Sequence, residues 1–112
     1  MTPVRGDVVV AQFLFVEQGR LRRRPTLVVS DGVVGGGRVL WVLMITGSSL
    51  ALWPHDVRFE TGFTQGGLKR ASVIRVEKIA AVSPNSAEVI GRAPRSVMAA
   101  VDDSLRRLLA LG

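Results

Sequence analysis

Hydrophobic and polar positions divide the chain into several short apolar runs and one final stretch with helical periodicity. The runs are rich in β-branched and aromatic residues, and glycine, proline and charged residues separate them, which is typical of strands joined by turns. They predict β-strands over residues 7–15, 24–30, 38–46, 57–60, 72–83 (two strands or one bent strand) and 87–93. The third run is apolar nearly throughout, so we expect a central strand that is buried on both faces.

The last segment, residues 94–111, predicts an amphipathic helix. Its apolar residues recur at the spacing that forms one helix face: Val97, Val101, Leu105, Leu108 and Leu109. Pro94 stands at the start, where a helix tolerates proline. Short strands followed by one helix predict a mainly-β fold, a small twisted sheet or barrel capped by the helix. A chain of 112 residues is too short for two cores, so we expect one domain over residues 1–112.

Three segments between the runs predict loops or turns: the charged residues 18–23, the glycines at 35–37, and residues 47–50. Pro25 stands near the beginning of the second predicted strand. Because proline cannot donate to a strand ladder, we expect it at the strand's start or on an edge. Trp41 falls within the central strand and is expected in the core.

The composition excludes several classes of protein. Apolar residues make up 47% and charged residues 21%, a balance typical of a packed globular domain. A membrane-spanning helix needs a run of about 18 apolar residues, which is absent, and the charged N-terminal residues lack the apolar core of a signal peptide. Cysteine is absent, which excludes disulfides, thiolate ligands and a cysteine nucleophile and fits a cytoplasmic protein. One histidine, His55, excludes a zinc site built on several histidines, and we expect no metal or cofactor.

The charge favours a polyanionic partner. The formal net charge is +6, and all but two of the 15 cationic residues are arginine. Arginine contacts phosphate through two N–H groups at once and stacks on bases, whereas lysine acts as a point charge. Nucleic acid is therefore the partner that the charge indicates.

Six motifs occur in an order that matches a known protein family. They are Gly6-Asp7-Val8-Val9, Arg24-Pro25-Thr26-Leu27-Val28-Val29-Ser30, Ile45-Thr46-Gly47-Ser48, Gly67-Leu68-Lys69-Arg70-Ala71-Ser72-Val73-Ile74-Arg75, Ile90-Gly91-Arg92 and Leu105-Arg106-Arg107-Leu108-Leu109-Ala110-Leu111. In this order and spacing the chain resembles the MazF/PemK family of toxins from bacterial type II toxin–antitoxin pairs, over roughly residues 5–111.

The resemblance implies an SH3-like barrel of the CcdB/PemK type with a C-terminal helix, assembled as a homodimer. It also implies a metal-independent, sequence-specific endoribonuclease that cleaves single-stranded RNA such as mRNA, and an acidic antitoxin protein that wraps and inhibits it. Metal-free RNA cleavage uses the neighbouring 2′-hydroxyl as nucleophile. The protein must remove that proton, stabilise charge on the phosphorus centre and protonate the leaving oxygen.

Four catalytic residues are carried over from the resemblance. Arg24 matches the family's arginine directly before proline and is expected to stabilise charge on the scissile phosphate. Thr46 matches the hydroxyl residue at the end of the third strand and is expected to hydrogen-bond the phosphate or the 2′-oxygen. The PemK branch also uses an arginine and an aspartate one residue apart, and Arg75 and Glu77 stand there, with glutamate in place of aspartate. Alternation along a strand puts both side chains on one face. There Arg75 would contact phosphate and Glu77 would act as general base, or the two would form an exposed ion pair. Whether Glu77 or Arg24 supplies the base stays open.

Further residues are expected to bind RNA. Arginines of the loop between the first two predicted strands would contact phosphates or form a solvated hairpin tip. Two serines would share the phosphate or cap a turn, and a loop tryptophan would stack on a base. The RNA-binding candidates are Arg20, Arg22, Arg23, Ser48, Ser49, Lys69, Arg70 and Trp53. His55 lies in a loop where Asp56 would hold its ring, so a structural role is expected for it.

Two other functions stay open at this point. A CcdB-like inhibitor of DNA gyrase would share the fold. Such inhibitors depend on a C-terminal tryptophan and apolar tip residues, whereas this chain ends Ala110-Leu111-Gly112. A non-catalytic RNA-binding module of the same fold would bind RNA and leave it intact.

Overall fold

A computed structural model describes residues 2–15, 20–47 and 51–112 of the chain. Within these residues it contains six strands, a short 3₁₀ turn (Pro84–Ser86) and one helix. In chain order they are β1 (Asp7–Phe15), β2 (Arg20–Val28), β3 (Leu40–Gly47), β4 (Val57–Phe59), β5 (Ser72–Val82), β6 (Glu88–Arg92) and α1 (Arg95–Leu108). The predicted mainly-β class with a C-terminal helix is confirmed.

The strands form one antiparallel sheet in the order β4-β5-β3-β2-β1-β6, curled into a half-barrel. β5 is one bent strand, which is the second of the two predicted possibilities. Its register against β3 shifts between Leu43 and Met44, which pair with Ile79 and Arg75. Because β5 takes up extra residues at this shift, the strand bends there.

Apolar clusters cover both faces of the sheet. α1 packs on one face through Val97 and Val101. A second cluster lies away from the helix: Val9, Ala11, Phe13, Val28, Leu40, Val42, Met44 and Val82. β3 contributes alternately to the two clusters, with Leu43 in the first and Val42 in the second. Its central part is therefore buried on both faces, as predicted.

Three of the predictions about the fold are wrong. Residues 20–23, predicted as a loop, begin β2, because they pair with the end of β1 and extend the hairpin. Trp41 is 52% exposed, since it lies near the start of β3, outside both apolar clusters. Leu109 follows the last residue of α1 and is exposed, so it does not belong to the buried helix face.

β2 has a neighbour on both sides over only part of its length. Its pairing with β1 runs from Arg20 to Leu27, whereas its pairing with β3 covers only residues 26–28. Pro25 therefore lies inside β2 and not at its start, on a stretch without a ladder to β3. The expected edge position of the proline is confirmed in this sense.

α1 occupies most of the predicted helical segment. Pro94 is its N-cap, and Arg106 and Arg107 lie in its last turn, where cations interact favourably with the helix dipole. In the described part of the chain, no helix is long and apolar enough to cross a membrane.

Candidate functional site

The stretch of β2 without a β3 ladder borders a cavity of about 410 Å³. Strands β1, β2, β3 and β6, the segment leading into β5 and the first residue of β5 contribute its walls. The lining residues are Val10, Arg24, Pro25, Ile45, Thr46, Gly47, Gly67, Leu68, Lys69, Arg70, Ser72 and Ile90. Three of these described residues are cationic, two carry a hydroxyl group and none is acidic. The cavity is therefore suited to an anion.

Arg24 and Thr46, which the sequence predicted to act together, both line this cavity. Thr26 pairs with Met44, so extending the same register by two residues places Arg24 opposite Thr46 on one face of the sheet. Arg24 is half-buried, and its Nη2 donates a hydrogen bond to the carbonyl oxygen of Ile45 at 2.9 Å. This bond fixes one edge of the guanidinium beside Thr46.

Burial lowers the pKa of Arg24 from its ordinary value, and the neighbouring charge of Arg22 lowers it further. Arginine nevertheless keeps its proton at neutral pH. The cavity thus contains a positive charge that has lost part of its hydration. An anion seated there would replace that hydration with direct contacts.

Close glycine contacts hold the segment before β5 against β6. Gly67 has φ +75°, and a Cβ on it would lie 2.1 Å from the carbonyl oxygen of Ile90. A Cβ on Gly91 would likewise lie 2.3 Å from the carbonyl carbon of Gly66. Only residues without a side chain permit this approach of two backbones. The contacts therefore set the position of the cavity wall that follows Gly67.

Lys69 and Arg70 belong to that wall, in agreement with their predicted place near the site. A Cβ on Gly47 would lie 3.8 Å from the Arg70 guanidinium, so this cation lies over the end of β3. The Ser72 hydroxyl donates to the carbonyl oxygen of Arg70 at 3.0 Å and holds the backbone there. Of the predicted site residues, the cavity brings together Arg24, Thr46, Lys69 and Arg70.

Arg75 lies outside this cavity and is only 6% exposed. Its Nε and Nη2 donate to the two carboxylate oxygens of Asp56 at 3.2 and 2.9 Å, and Nη2 also donates to the carbonyl oxygen of Ala51 at 2.9 Å. The guanidinium carbon lies 4.4 Å from the centroid of the Trp53 ring. The predicted exposed ion pair with Glu77 is therefore wrong, because Asp56 is the partner. One face of Trp53, which we expected to stack on a base, contacts this guanidinium.

Glu77 contacts the same 51–56 loop as Arg75 but faces His55. Its Oε1 accepts a hydrogen bond from the backbone N–H of His55 at 3.3 Å and lies 3.7 Å from the ring Nδ1. The carbonyl oxygen of His55 accepts a hydrogen bond from the Ser104 hydroxyl of α1 at 2.7 Å. Glu77, and not the predicted Asp56, therefore lies beside the ring, and these contacts tie the loop to β5 and α1.

Two further arginines of β2 with described side chains, Arg22 and Arg23, do not line the cavity. Both are exposed. Arg23 donates to the carbonyl oxygen of Ser86 at 3.0 Å and lies 3.9 Å from the carboxylate of Glu88. Three further candidates lie outside what the structure describes: the side chain of Arg20, and the whole of Ser48 and Ser49.

Two groups that hold the predicted arginines in place were not predicted from the sequence. Asp56 neutralises the charge of Arg75. The one sign of this residue in the sequence is its position three residues after Trp53, because its carboxylate accepts a hydrogen bond from the backbone N–H of Trp53 at 2.8 Å. The Ile45 carbonyl oxygen, which holds Arg24, has no side-chain signal. Among the residues with described positions, no three His, Cys, Asp or Glu side chains form a group that could hold a metal ion.

Comparison with known proteins identifies the family. The family model of PemK-like, MazF-like toxins of type II toxin–antitoxin systems matches residues 4–109. None of the curated protein sequences matches the chain significantly.

Solved structures of similar fold agree with this match. A MazE–MazF structure (form II) from Deinococcus radiodurans has a TM-score of 0.73 and 25% identity, covering 100% of this chain and 99% of that chain. The Mycobacterium tuberculosis toxin MazF-mt6 has a TM-score of 0.73 and 18% identity, covering 95% and 98%. An endoribonuclease in complex with its cognate antitoxin from a Mycobacterial species has a TM-score of 0.69 and 16% identity, covering 98% and 97%. Because the family model spans nearly the whole chain, this protein belongs to the PemK-like, MazF-like toxins of type II toxin–antitoxin systems.

Proposed function

We propose that this toxin is a metal-independent endoribonuclease that cleaves single-stranded RNA, such as mRNA, at a short sequence. One observation carries the proposal: Arg24 and Thr46 line one cavity together with Lys69 and Arg70. Clustered positive charge suits a phosphodiester, which arginine contacts through paired N–H groups. The structural similarity to a protein described as an endoribonuclease supports the same proposal.

In this proposal Arg24 and Thr46 act on the scissile phosphate. The 2′-oxygen passes its proton to solvent water and bonds to phosphorus, the bond to the 5′-oxygen breaks, and that oxygen takes a proton from Arg24, which solvent then restores. Ends with a 2′,3′-cyclic phosphate and a 5′-hydroxyl result. Arg24, held by the Ile45 carbonyl, stabilises the charge that gathers on the non-bridging oxygens. The Thr46 hydroxyl binds the phosphate or the 2′-oxygen and fixes the direction of attack.

The proton of the leaving oxygen is assigned to Arg24. Burial lowers the pKa of this guanidinium, which makes it a better proton donor than a free arginine. Arg75 and Glu77 are assigned a supporting role, since their contacts hold the 51–56 loop and neither lines the cavity. Lys69 and Arg70 bind the phosphates of the RNA on either side of the scissile one. The same role is proposed for the exposed Arg22 and Arg23 and for Arg20, Ser48 and Ser49.

We further propose an acidic antitoxin as the protein partner, a homodimer as the assembly and the cytoplasm as the location. Similar structures include a MazE–MazF structure and an endoribonuclease with its cognate antitoxin. The net charge of +6 suits an acidic inhibitor for the same reason that it suits RNA.

The test is cleavage of a long single-stranded RNA by purified protein in EDTA. Wild type should cut at a short preferred sequence and leave cyclic phosphate ends, whereas Arg24→Ala and Thr46→Ala should each lose about 10²-fold or more in rate. Arg38→Ala is the matched control, because this exposed arginine lies in the turn before β3 and not in the cavity. Intact RNA with folded wild-type protein would overturn the proposal, and gyrase inhibition and simple RNA binding would be measured next.

A further inference from the structure

Pro25 stands where the ladder between β2 and β3 would need a backbone donor. The amide of Val29 donates to the carbonyl oxygen of Trp41 at 2.9 Å, and in antiparallel strands such bonding positions recur at every second residue. The register continues unchanged through the ladder. Four residues further on, the bonding position therefore pairs Pro25 with Ile45. Proline has no N–H, so this position of the ladder has no backbone donor.

Arg24 supplies a side-chain donor at the same place. Its Nη2 donates to the Ile45 carbonyl oxygen at 2.9 Å, where the backbone N–H of residue 25 would otherwise bond. We propose that Pro25 is a positioning residue, which withholds a backbone N–H and so reserves the Ile45 carbonyl for the Arg24 guanidinium. The effect of Pro25 on RNA cleavage rests on the proposed function. Its effect on which donor bonds to the Ile45 carbonyl does not.

The geometry also explains why a strand interior tolerates this proline. Successive residues of an antiparallel strand bond to opposite neighbours. The missing donor of Pro25 faces β3, and the pairing of β2 with β1 continues on both sides of it, from Arg24 with Ala11 to Thr26 with Val9. One ladder bond is absent, and a bond from a charged side chain stands in its place.

The variant Pro25→Ala tests this role because it adds one N–H and removes little else. We expect the new amide at position 25 to bond to the Ile45 carbonyl and to release the guanidinium of Arg24. The rate constant kcat should fall about ten- to a hundredfold with little change in KM, as expected for a misplaced catalytic group. The melting temperature should be unchanged or higher, because a ladder bond has been gained.

Nuclear magnetic resonance shows directly which donor bonds to the Ile45 carbonyl in Pro25→Ala. The position-25 amide should be protected from hydrogen exchange, and the Arg24 guanidinium signals should move toward those of a solvated arginine. A chain synthesised with N-methylalanine at position 25 lacks the N–H again, and it should restore kcat and the Arg24 signals. Pro54→Ala, in the exposed part of the 51–56 loop, serves as a matched proline control and should change neither.

Two results would overturn the proposal. A carbonyl oxygen has two lone pairs, so Ile45 accepting both bonds would leave the Arg24 signals and kcat of Pro25→Ala at wild-type values. Lost activity that N-methylalanine does not restore would show that the ring, and not the absent N–H, matters. If wild type cleaves no RNA, the proposed function fails, and the Arg24 signals alone decide the role of Pro25.

Discussion

Asp56 and Arg75 form an ion pair from which water is almost excluded, with side chains that are 1% and 7% exposed. Such a pair loses the hydration of two charges, and mutual attraction offsets that loss only when the geometry satisfies both groups. Here two hydrogen bonds join the groups, and a third from Arg75 reaches the Ala51 carbonyl. The pair is therefore a structural joint between β5 and the 51–56 loop.

Removing one charge of this pair should destabilise the fold strongly. Asp56→Asn leaves Arg75 buried without a counter-charge, and we expect the free energy of unfolding to fall by about 3–5 kcal/mol in urea denaturation. The matched control is Asp103→Asn, which breaks the exposed ion pair with Arg107 one helical turn away. It should change the free energy by less than about 0.5 kcal/mol. Equal losses in the two variants would contradict the structural role.

Arg24→Lys should separate charge from shape in the cavity. Lysine keeps the positive charge, but one ammonium cannot bond to the Ile45 carbonyl and present a two-point contact to phosphate in the way a guanidinium does. We expect kcat/KM for RNA cleavage to fall about 10²-fold, while the melting temperature stays within about 2 °C of wild type. Arg38→Lys, in an exposed turn, should retain full activity. Full activity of the Arg24 variant would show that charge alone suffices.

Anions should stabilise the folded protein through Arg24. Burial, and then the charge of Arg22, lowers the pKa of Arg24, so the folded state holds this proton less tightly than the unfolded chain. The charged form of Arg24 therefore lowers the free energy of unfolding at neutral pH. This destabilisation decreases as the pH rises through the pKa of the folded state and is absent above the pKa of the unfolded chain. Pyrophosphate in the cavity should offset it, raising the melting temperature by about 2–5 °C in a thermal-shift assay. The increase should vanish in Arg24→Gln, and equal increases in both proteins would place the anion elsewhere.

Gly91→Ala should disturb both stability and the cavity wall. The added methyl would lie 2.3 Å from the carbonyl carbon of Gly66, so one of the two backbones must move. We expect a loss of about 3 kcal/mol in the free energy of unfolding. Gly47→Ala is the control, because its methyl would meet the Arg70 guanidinium at an ordinary 3.8 Å. This control should stay within about 0.5 kcal/mol of wild type, and a similar result for Gly91→Ala would show that the segment is loosely held.

The local pattern predicted most elements because strand and helix periods are properties of the chain itself. It failed for residues 20–23, where charge and a nearby glycine indicated a loop, since a hairpin can extend on polar residues when its partner strand extends too. It failed for Trp41 because alternation assigns a side chain to a face but does not say what covers that face.

The candidate site was found from motifs, and its details depend on tertiary contacts. Arg24 and Thr46 were assigned through the resemblance, and only the sheet register places them opposite one another. The pairing of Asp56 with Arg75 joins residues 19 positions apart, and no local rule links them. The bond from Arg24 to a backbone carbonyl has no counterpart among side-chain patterns, because every residue has such a carbonyl.

The pairing of β1 with β6 has a consequence for the order of events during synthesis. An ion pair joins Asp7 to Arg92, 85 residues later, and β1 and β6 form a ladder there. Contacts between residues so distant in sequence form late, because a long loop must close before they contribute. Ile90, which lines the cavity, is made long after Arg24 and Thr46. A chain still growing on the ribosome therefore has the proposed catalytic pair without a finished cavity, so assembly of the site waits until translation has passed β6.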